Sequence, residues 1–170
     1  MRSRAGLFAL STVAVACTEP HVSSRDISPS AQLEARLELS DSLPKSGSDI
    51  RVLVRIAGTR AAGADGEGAR IASFTTRLVY DTTGMRFVAD LPLDDGGTRV
   101  SNAQPGVIRS AGVNATGFAT GALTGYRFLV LDPAAVRRMR LSVLELHEVG
   151  RVNATASVRV PVEPVFVRAP

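Results

Sequence analysis

The sequence holds one cysteine in 170 residues, two histidines, two tyrosines and no tryptophan. A lone cysteine excludes an intramolecular disulfide, so an exported domain made from this chain has to stand on its core alone. His21 and His147 have no cysteine partner and no His-x-x-x-His spacing, which leaves zinc without a ligand set. His147 is flanked by Glu145 and Glu148, a pattern that fits a solvated strand edge better than an acid–base site. No nucleophile elbow, phosphate loop or dinucleotide fingerprint occurs. No catalytic residue and no cofactor is therefore expected. Sugar-binding sandwiches present flat strips of Trp or Tyr, and the only tyrosines, Tyr80 and Tyr126, both fall on core-facing positions. That pattern counts against polysaccharide binding.

Charge of one sign is also missing. The chain carries 20 basic and 16 acidic residues, and without Arg2 and Arg4 the basic count falls to 18. The charges alternate and form no basic run interleaved with aromatics, which excludes a nucleic-acid surface. One acidic cluster stands out, Asp90, Asp94, Asp95 and Asn102 around a Gly-Gly corner. Its oxygens could hold calcium, but the spacing lacks the order of a helix–loop–helix calcium loop, and acidic turns are common on surfaces.

What is present is aliphatic. Apolar residues make up 45% of the chain, aromatics only 5%, and the wealth of valine favours strands. The N-terminus reads as an address. Met1-Arg2-Ser3-Arg4 is a cationic start, and Gly6 to Val15 is an apolar run too short to span a bilayer. The small residues Val13-Ala14-Val15-Ala16 then lead into Cys17, which resembles a bacterial lipobox. The expectation is a signal peptide over residues 1–16 and lipidation of Cys17, with several acyl chains holding the protein at the membrane. Thr18, where a sorting Asp is absent, favours the outer membrane. Residues 17–30, with Pro20, Pro29 and several serines, read as a flexible tether.

The remainder, residues 31–168, alternates. Phe74, Thr76, Leu78 and Tyr80 fall on one side of an extended chain and Thr75, Arg77 and Val79 on the other. Asp81-Thr82-Thr83-Gly84 supplies turn chemistry, with Gly84 suited to a positive φ. Met85, Phe87 and Ala89 resume the alternation. Leu33, Ala35, Leu37 and Leu39 form one strand, and Val52, Val54 and Ile56 mark the next. Val107 to Ala111 is a short segment. Tyr126, Phe128 and Val130 share a face, and a parity switch at Leu144 marks a bulge. Val158, Val160 and Val162 end the series, with Pro161 and Pro164 confining the tail to an edge. The fold class is all-β, a single antiparallel sandwich of about 8–9 strands. Leu78, Tyr80, Phe87, Phe128 and Val130 are expected inside.

The order of these pieces resembles the cohesin domain, within the wider set of cohesin-like and carbohydrate-binding jelly-roll sandwiches. The resemblance rests on Pro44-Lys45-Ser46-Gly47 before a strand, the run from Ile71 to Tyr80-Asp81, Met85-Arg86-Phe87, Pro105-Gly106-Val107, and Gly121-Ala122-Leu123 leading into Tyr126-Arg127-Phe128. It covers about residues 33 to 162. It implies a jelly-roll sandwich and a non-catalytic module that docks a protein partner, dockerin-like, through an exposed sheet face. Thr75, Arg77 and Arg127 are the residues placed on that face, outward by parity. Fold alone leaves two other readings open, an envelope scaffold without a discrete ligand and a carbohydrate-binding module.

Overall fold

The computed structural model describes residues 32–59, 70–118, 121–149, 158–161 and 164–166. The signal peptide, Cys17, His21 and the tether lie outside these residues. The strands are β1 (Gln32–Leu39), β2 (Asp49–Thr59), β3 (Ile71–Val79), β4 (Met85–Asp90), β5 (Thr98–Gln104), β6 (Val107–Phe118), β7 (Ala122–Val130), β8 (Arg140–Glu148), β9 (Val158–Arg159) and β10 (Val165–Phe166). A 3-10 turn, Pro133–Arg138, joins β7 to β8.

Two sheets form. One runs β10-β1-β2-β7-β4, with β9 also on β1, and the other runs β5-β6-β3-β8. Pairing is antiparallel between the long strands. The exceptions are β9 and β10, which run parallel to β1 along its outer edge. That edge is where the prolines of the tail are tolerated.

The alternation dictates the core. Leu33, Ala35, Leu37 and Leu39 of β1, and Ile50, Val52, Val54 and Ile56 of β2, all point inward. They meet Ile71, Phe74 and Leu78 of β3 and Ile108 and Phe118 of β6. Phe128 of β7 is fully buried at the centre of a ring cluster. Its centroid lies 5.0 Å from Tyr80, 5.9 Å from Phe87 and 6.4 Å from Tyr126, each pair edge to face. One polar chain crosses between the sheets. The Tyr126 hydroxyl lies 2.7 Å from Ser110 Oγ, which lies 2.8 Å from Ser101 Oγ. Burial pushes the Tyr126 hydroxyl pKa up, so it stays protonated and satisfied in place.

Three expectations need correction. Phe87 is half-buried rather than internal. It sits on β4, an edge strand, where the register slips between Phe87 and Ala89 and leaves Val88 exposed. Gly84 has no positive φ. It is needed because a Cβ there would come within 2.3 Å of the Ala135 Cβ, against the 3-10 turn. The turn itself is held by Asp81, whose Oδ1 accepts from Thr83 N at 2.9 Å and Thr83 Oγ1 at 2.6 Å. Finally, the segment read as Val107 to Ala111 is a strand of 12 residues reaching Phe118. Gly112 hid the continuation. It is a glycine because a Cβ would lie 2.4 Å from the Phe74 ring. The expected bulge in β8 is present, with the register against β3 slipping at Leu144.

Candidate docking face

The outer surface of the four-stranded sheet is laid out by register. Thr98, Val113, Ser73 and His147 form one cross-strand row. Val100, Ala111, Thr75 and Glu145 form the next, and Asn102, Arg109, Arg77 and Ser142 a third. Small side chains in the middle and larger ones at the rims create a shallow hollow of about 350 Å³ over the first two rows. Ser73, Thr75, Ala111, Val100 and Val113 are among the residues that line it. Val100 is 65% and Val113 56% exposed, high for aliphatic residues inside a sheet. Leu144, in the β8 bulge, is also exposed. The Thr75 hydroxyl donates to Glu145 Oε2 at 3.2 Å across the strands. Beyond the hollow, Arg77 and Arg109 flank a smaller depression with Asn102 and Gln104.

The three residues expected on one face do not share it. Thr75 and Arg77 lie on β3, on this outer surface. Arg127 lies on β7, on the outer surface of the other sheet, opposite Arg51. Parity alone puts all three outward, but the two sheets turn their outer faces away from each other. The sequence reading did not single out Val100 and Val113, which line the hollow.

One member of the acidic cluster, Asp95, is held in an ion-paired clip. Both Asp95 carboxylate oxygens accept from Arg99, Oδ1 at 2.7 Å. Arg99 Nε donates to the Leu123 carbonyl of β7 at 2.5 Å, and the guanidinium lies 4.5 Å over the Phe118 ring. Asn114 Nδ2 donates to the Asp95 carbonyl at 3.0 Å. The Arg99 guanidinium holds the Asp95 carboxyl below the usual carboxylate range. A depressed native pKa means this stabilisation is present at neutral pH and fades as acid protonates the group. Among the described residues no group of three or more His, Cys, Asp or Glu is arranged to hold a metal. Asp81 forms a second ion pair. Its Oδ2 accepts from Arg138 at 2.8 Å, and the Thr83 bonds, reinforced by Arg138, lower its pKa to about 2. This pair ties the β3–β4 corner to the 3-10 turn.

No protein-family model matches the chain, and no curated protein does. Solved structures do. A type II cohesin from Bacteroides cellulosolvens superposes with a TM-score of 0.56 at 12% identity, over 79% of this chain and 98% of that one. A cohesin from scaffoldin B of Acetivibrio cellulolyticus, in complex with a mutant dockerin, gives 0.51 at 14% identity, over 80% and 99%. A non-cellulosomal cohesin from the archaeon Archaeoglobus fulgidus gives 0.51 at 16% identity, over 75% and 86%. At such identities the likeness speaks for the fold. In fold, this chain carries a cohesin-like domain.

Proposed function

We propose that this chain is a non-catalytic docking module that binds a protein partner through the outer face of β5-β6-β3-β8. The observation that carries this reading is the hollow flanked by Val100 and Val113. These are exposed valines on a regular, four-stranded platform, where solvent-facing positions are ordinarily polar. The likeness to cohesins, one of them solved with a dockerin, supports a partner of dockerin type. Flat sheet faces with a small apolar centre and a polar rim suit protein association. The carbohydrate alternative finds less support. Tyr80 and Tyr126 are buried, as are Phe74, Phe118 and Phe128, and Phe87 is half-buried.

The sequence around Cys17 supports display of this module on a lipid anchor, facing away from the outer membrane at the end of the tether. Cys17→Ser is expected to abolish lipid labelling and to move the protein from the detergent phase to the aqueous phase. A protein that stays membrane-bound after that change has some other anchor.

Docking is tested with the full chain as bait against extracts of its own organism. Ala111→Arg puts a long charged side chain into the hollow, and should lower partner recovery by roughly ten-fold or more. Arg127→Glu, on the opposite sheet, should leave recovery unchanged. Loss of the partner with Arg127→Glu but not with Ala111→Arg places docking on the wrong sheet. Recovery of no specific partner by the unaltered bait favours the scaffold reading.

A further inference from the structure

Two sheets have four edges, and in this chain three of them are blunted. Outside β1 lie only β9 and β10, of two residues each. β4 is broken by the register slip between Phe87 and Ala89, carries Arg86 and Asp90, and runs into Pro92. β8 carries the slip at Leu144 together with Arg140, Glu145 and Glu148. Bulges, charges, prolines and short strands are the devices that keep an edge from pairing with another chain. β5 has none of them. It is 7 residues long, pairs with β6 without a slip and contains no proline. Its one charge, Arg99, is taken up by Asp95.

The direction of the backbone groups on that edge follows from the neighbouring strands. Tyr80 N donates to the Gly106 carbonyl at 3.0 Å, beside the Val79–Val107 pair. That bond makes Val79–Val107 a non-hydrogen-bonded pair. Val107 therefore turns its own N–H and C=O toward β5, where it meets Gln104. Alternation then sends the backbone groups of residues 98, 100, 102 and 104 toward β6, and those of Arg99, Ser101 and Ala103 outward. No backbone group among the described residues takes up the outward ones. Open hollows of about 420 Å³ and 360 Å³ lie beside them. Leu91 and Leu93 line the first with Arg99 and Ser101, and Met85 and Phe87 line the second with Ala103.

We propose that β5 pairs antiparallel with β5 of a second copy of this chain, about a two-fold axis at Ser101. Ser101 then exchanges both backbone bonds with the second copy's Ser101, and Arg99 does so with the second copy's Ala103. Every outward N–H and C=O of both strands is satisfied. The remaining cross-strand neighbours are Val100 with Asn102 and Thr98 with Gln104, so no like charges meet. Arg99 lies opposite the smallest side chain of the strand, which leaves room for its guanidinium. The two four-stranded sheets become one continuous sheet, and their outer faces lie side by side. An edge this short buries less surface than a permanent dimer, so the association is reversible.

The test uses the full chain carrying Cys17→Ser, which removes its native thiol. In the proposed pairing, residue 100 of one copy faces residue 102 of the other at a Cα separation of about 4.5 Å, within disulfide reach. Residue 100 lies diagonally from its own counterpart at about 7–8 Å, beyond that reach. Val100→Cys and Asn102→Cys proteins are oxidised separately and as a mixture. The mixture is expected to give roughly ten-fold more disulfide-linked dimer than either protein alone. Equal yields, or no dimer in the mixture, overturn the proposal. Amide exchange on the unaltered edge is the second readout. The Arg99, Ser101 and Ala103 amides should exchange roughly ten-fold or more slowly in concentrated than in dilute protein, while Val100 and Asn102 stay protected in both. Ala103→Pro removes an outward donor and spares the bonds to β6, so it should abolish that concentration dependence without changing the fold by circular dichroism. Outward amides whose exchange is independent of concentration overturn the second copy as occupant, and protection in dilute protein would assign the edge to another segment of the same chain.

Discussion

Replacing Phe128 with alanine is expected to cost about 3–5 kcal/mol of stability, the range seen for large-to-small changes at packed aromatic sites. Phe128 has no exposed surface and touches three other rings edge to face. Tyr80 belongs to the segment after β3, Phe87 to β4 and Tyr126 to β7, so the cavity left behind is walled by both sheets. Rigid strands on either side limit collapse, and incomplete collapse is what raises the cost above simple transfer. For a chain of this length, each kcal/mol shifts the melting temperature by about 2–4 °C. A drop of about 10 °C is therefore expected in a thermal melt. A loss below about 1 kcal/mol would mean that the ring cluster is not the centre of the core.

The second large effect belongs to Arg99. Arg99→Ala removes the guanidinium that satisfies Asp95, reaches the Leu123 carbonyl of the opposite sheet and covers Phe118. With Arg99 in place the Asp95 side chain is 8% exposed, so the change removes both its cationic partner and part of its cover. Losing charge-assisted hydrogen bonds to a half-buried carboxylate costs about 1.5–3 kcal/mol, because the remaining charge is left without its partner. Asp95→Asn on top of Arg99→Ala should recover part of the loss, since a neutral amide is cheaper to leave in place. Chemical denaturation of the single and double variants measures both quantities. A double variant no more stable than Arg99→Ala alone would assign the cost to lost packing on Phe118 instead of to the stranded charge.

Arg99 also shows where reading the sequence stops. The alternation at Leu33–Leu39 is legible because every inward residue is apolar and every outward one is charged, and Ile50–Ile56 keeps the pattern except for outward Leu53. On β5 the logic inverts. Arg99 points toward the interior and Val100 toward solvent, and a polarity pattern assigns them the other way round. The inversion is stabilised by partners distant in sequence, the Leu123 carbonyl and the Phe118 ring, and local composition cannot supply them. β6 fails for a related reason. Gly112 and Gly117 dilute its pattern, while their need for space comes from Phe74 on β3 and from Arg70 just before it.

The same limit governs the site. Thr75 and Arg77 were readable as outward, because Phe74, Thr76 and Leu78 are buried between them. Arg127 is outward by the same parity, between Tyr126 and Phe128. Which sheet each strand joins is a property of long-range pairing, β3 with β6 and β8 but β7 with β2 and β4. Parity reports in or out, and it is silent on which of two outer faces a residue occupies. Val113 shows the cost of that silence. An isolated valine next to Gly112 carries no signal until Thr98 and Ser73 are placed on either side of it.

The central claim is that a protein partner sits on the outer face of the four-stranded sheet, and site-specific photo-crosslinking tests it most directly. A benzophenone side chain placed at Val100 or Val113 stands on the proposed contact, and one at Val88 or Arg127 stands on the opposite sheet. All four positions are exposed, so the substitutions spare the core. The account predicts a covalent adduct of defined mass from Val100 and Val113 on irradiation in the native organism. The adduct should disappear when Ala111→Arg is added, and Val88 and Arg127 should give none. An adduct from Val88 or Arg127, with none from Val100 and Val113, would contradict it.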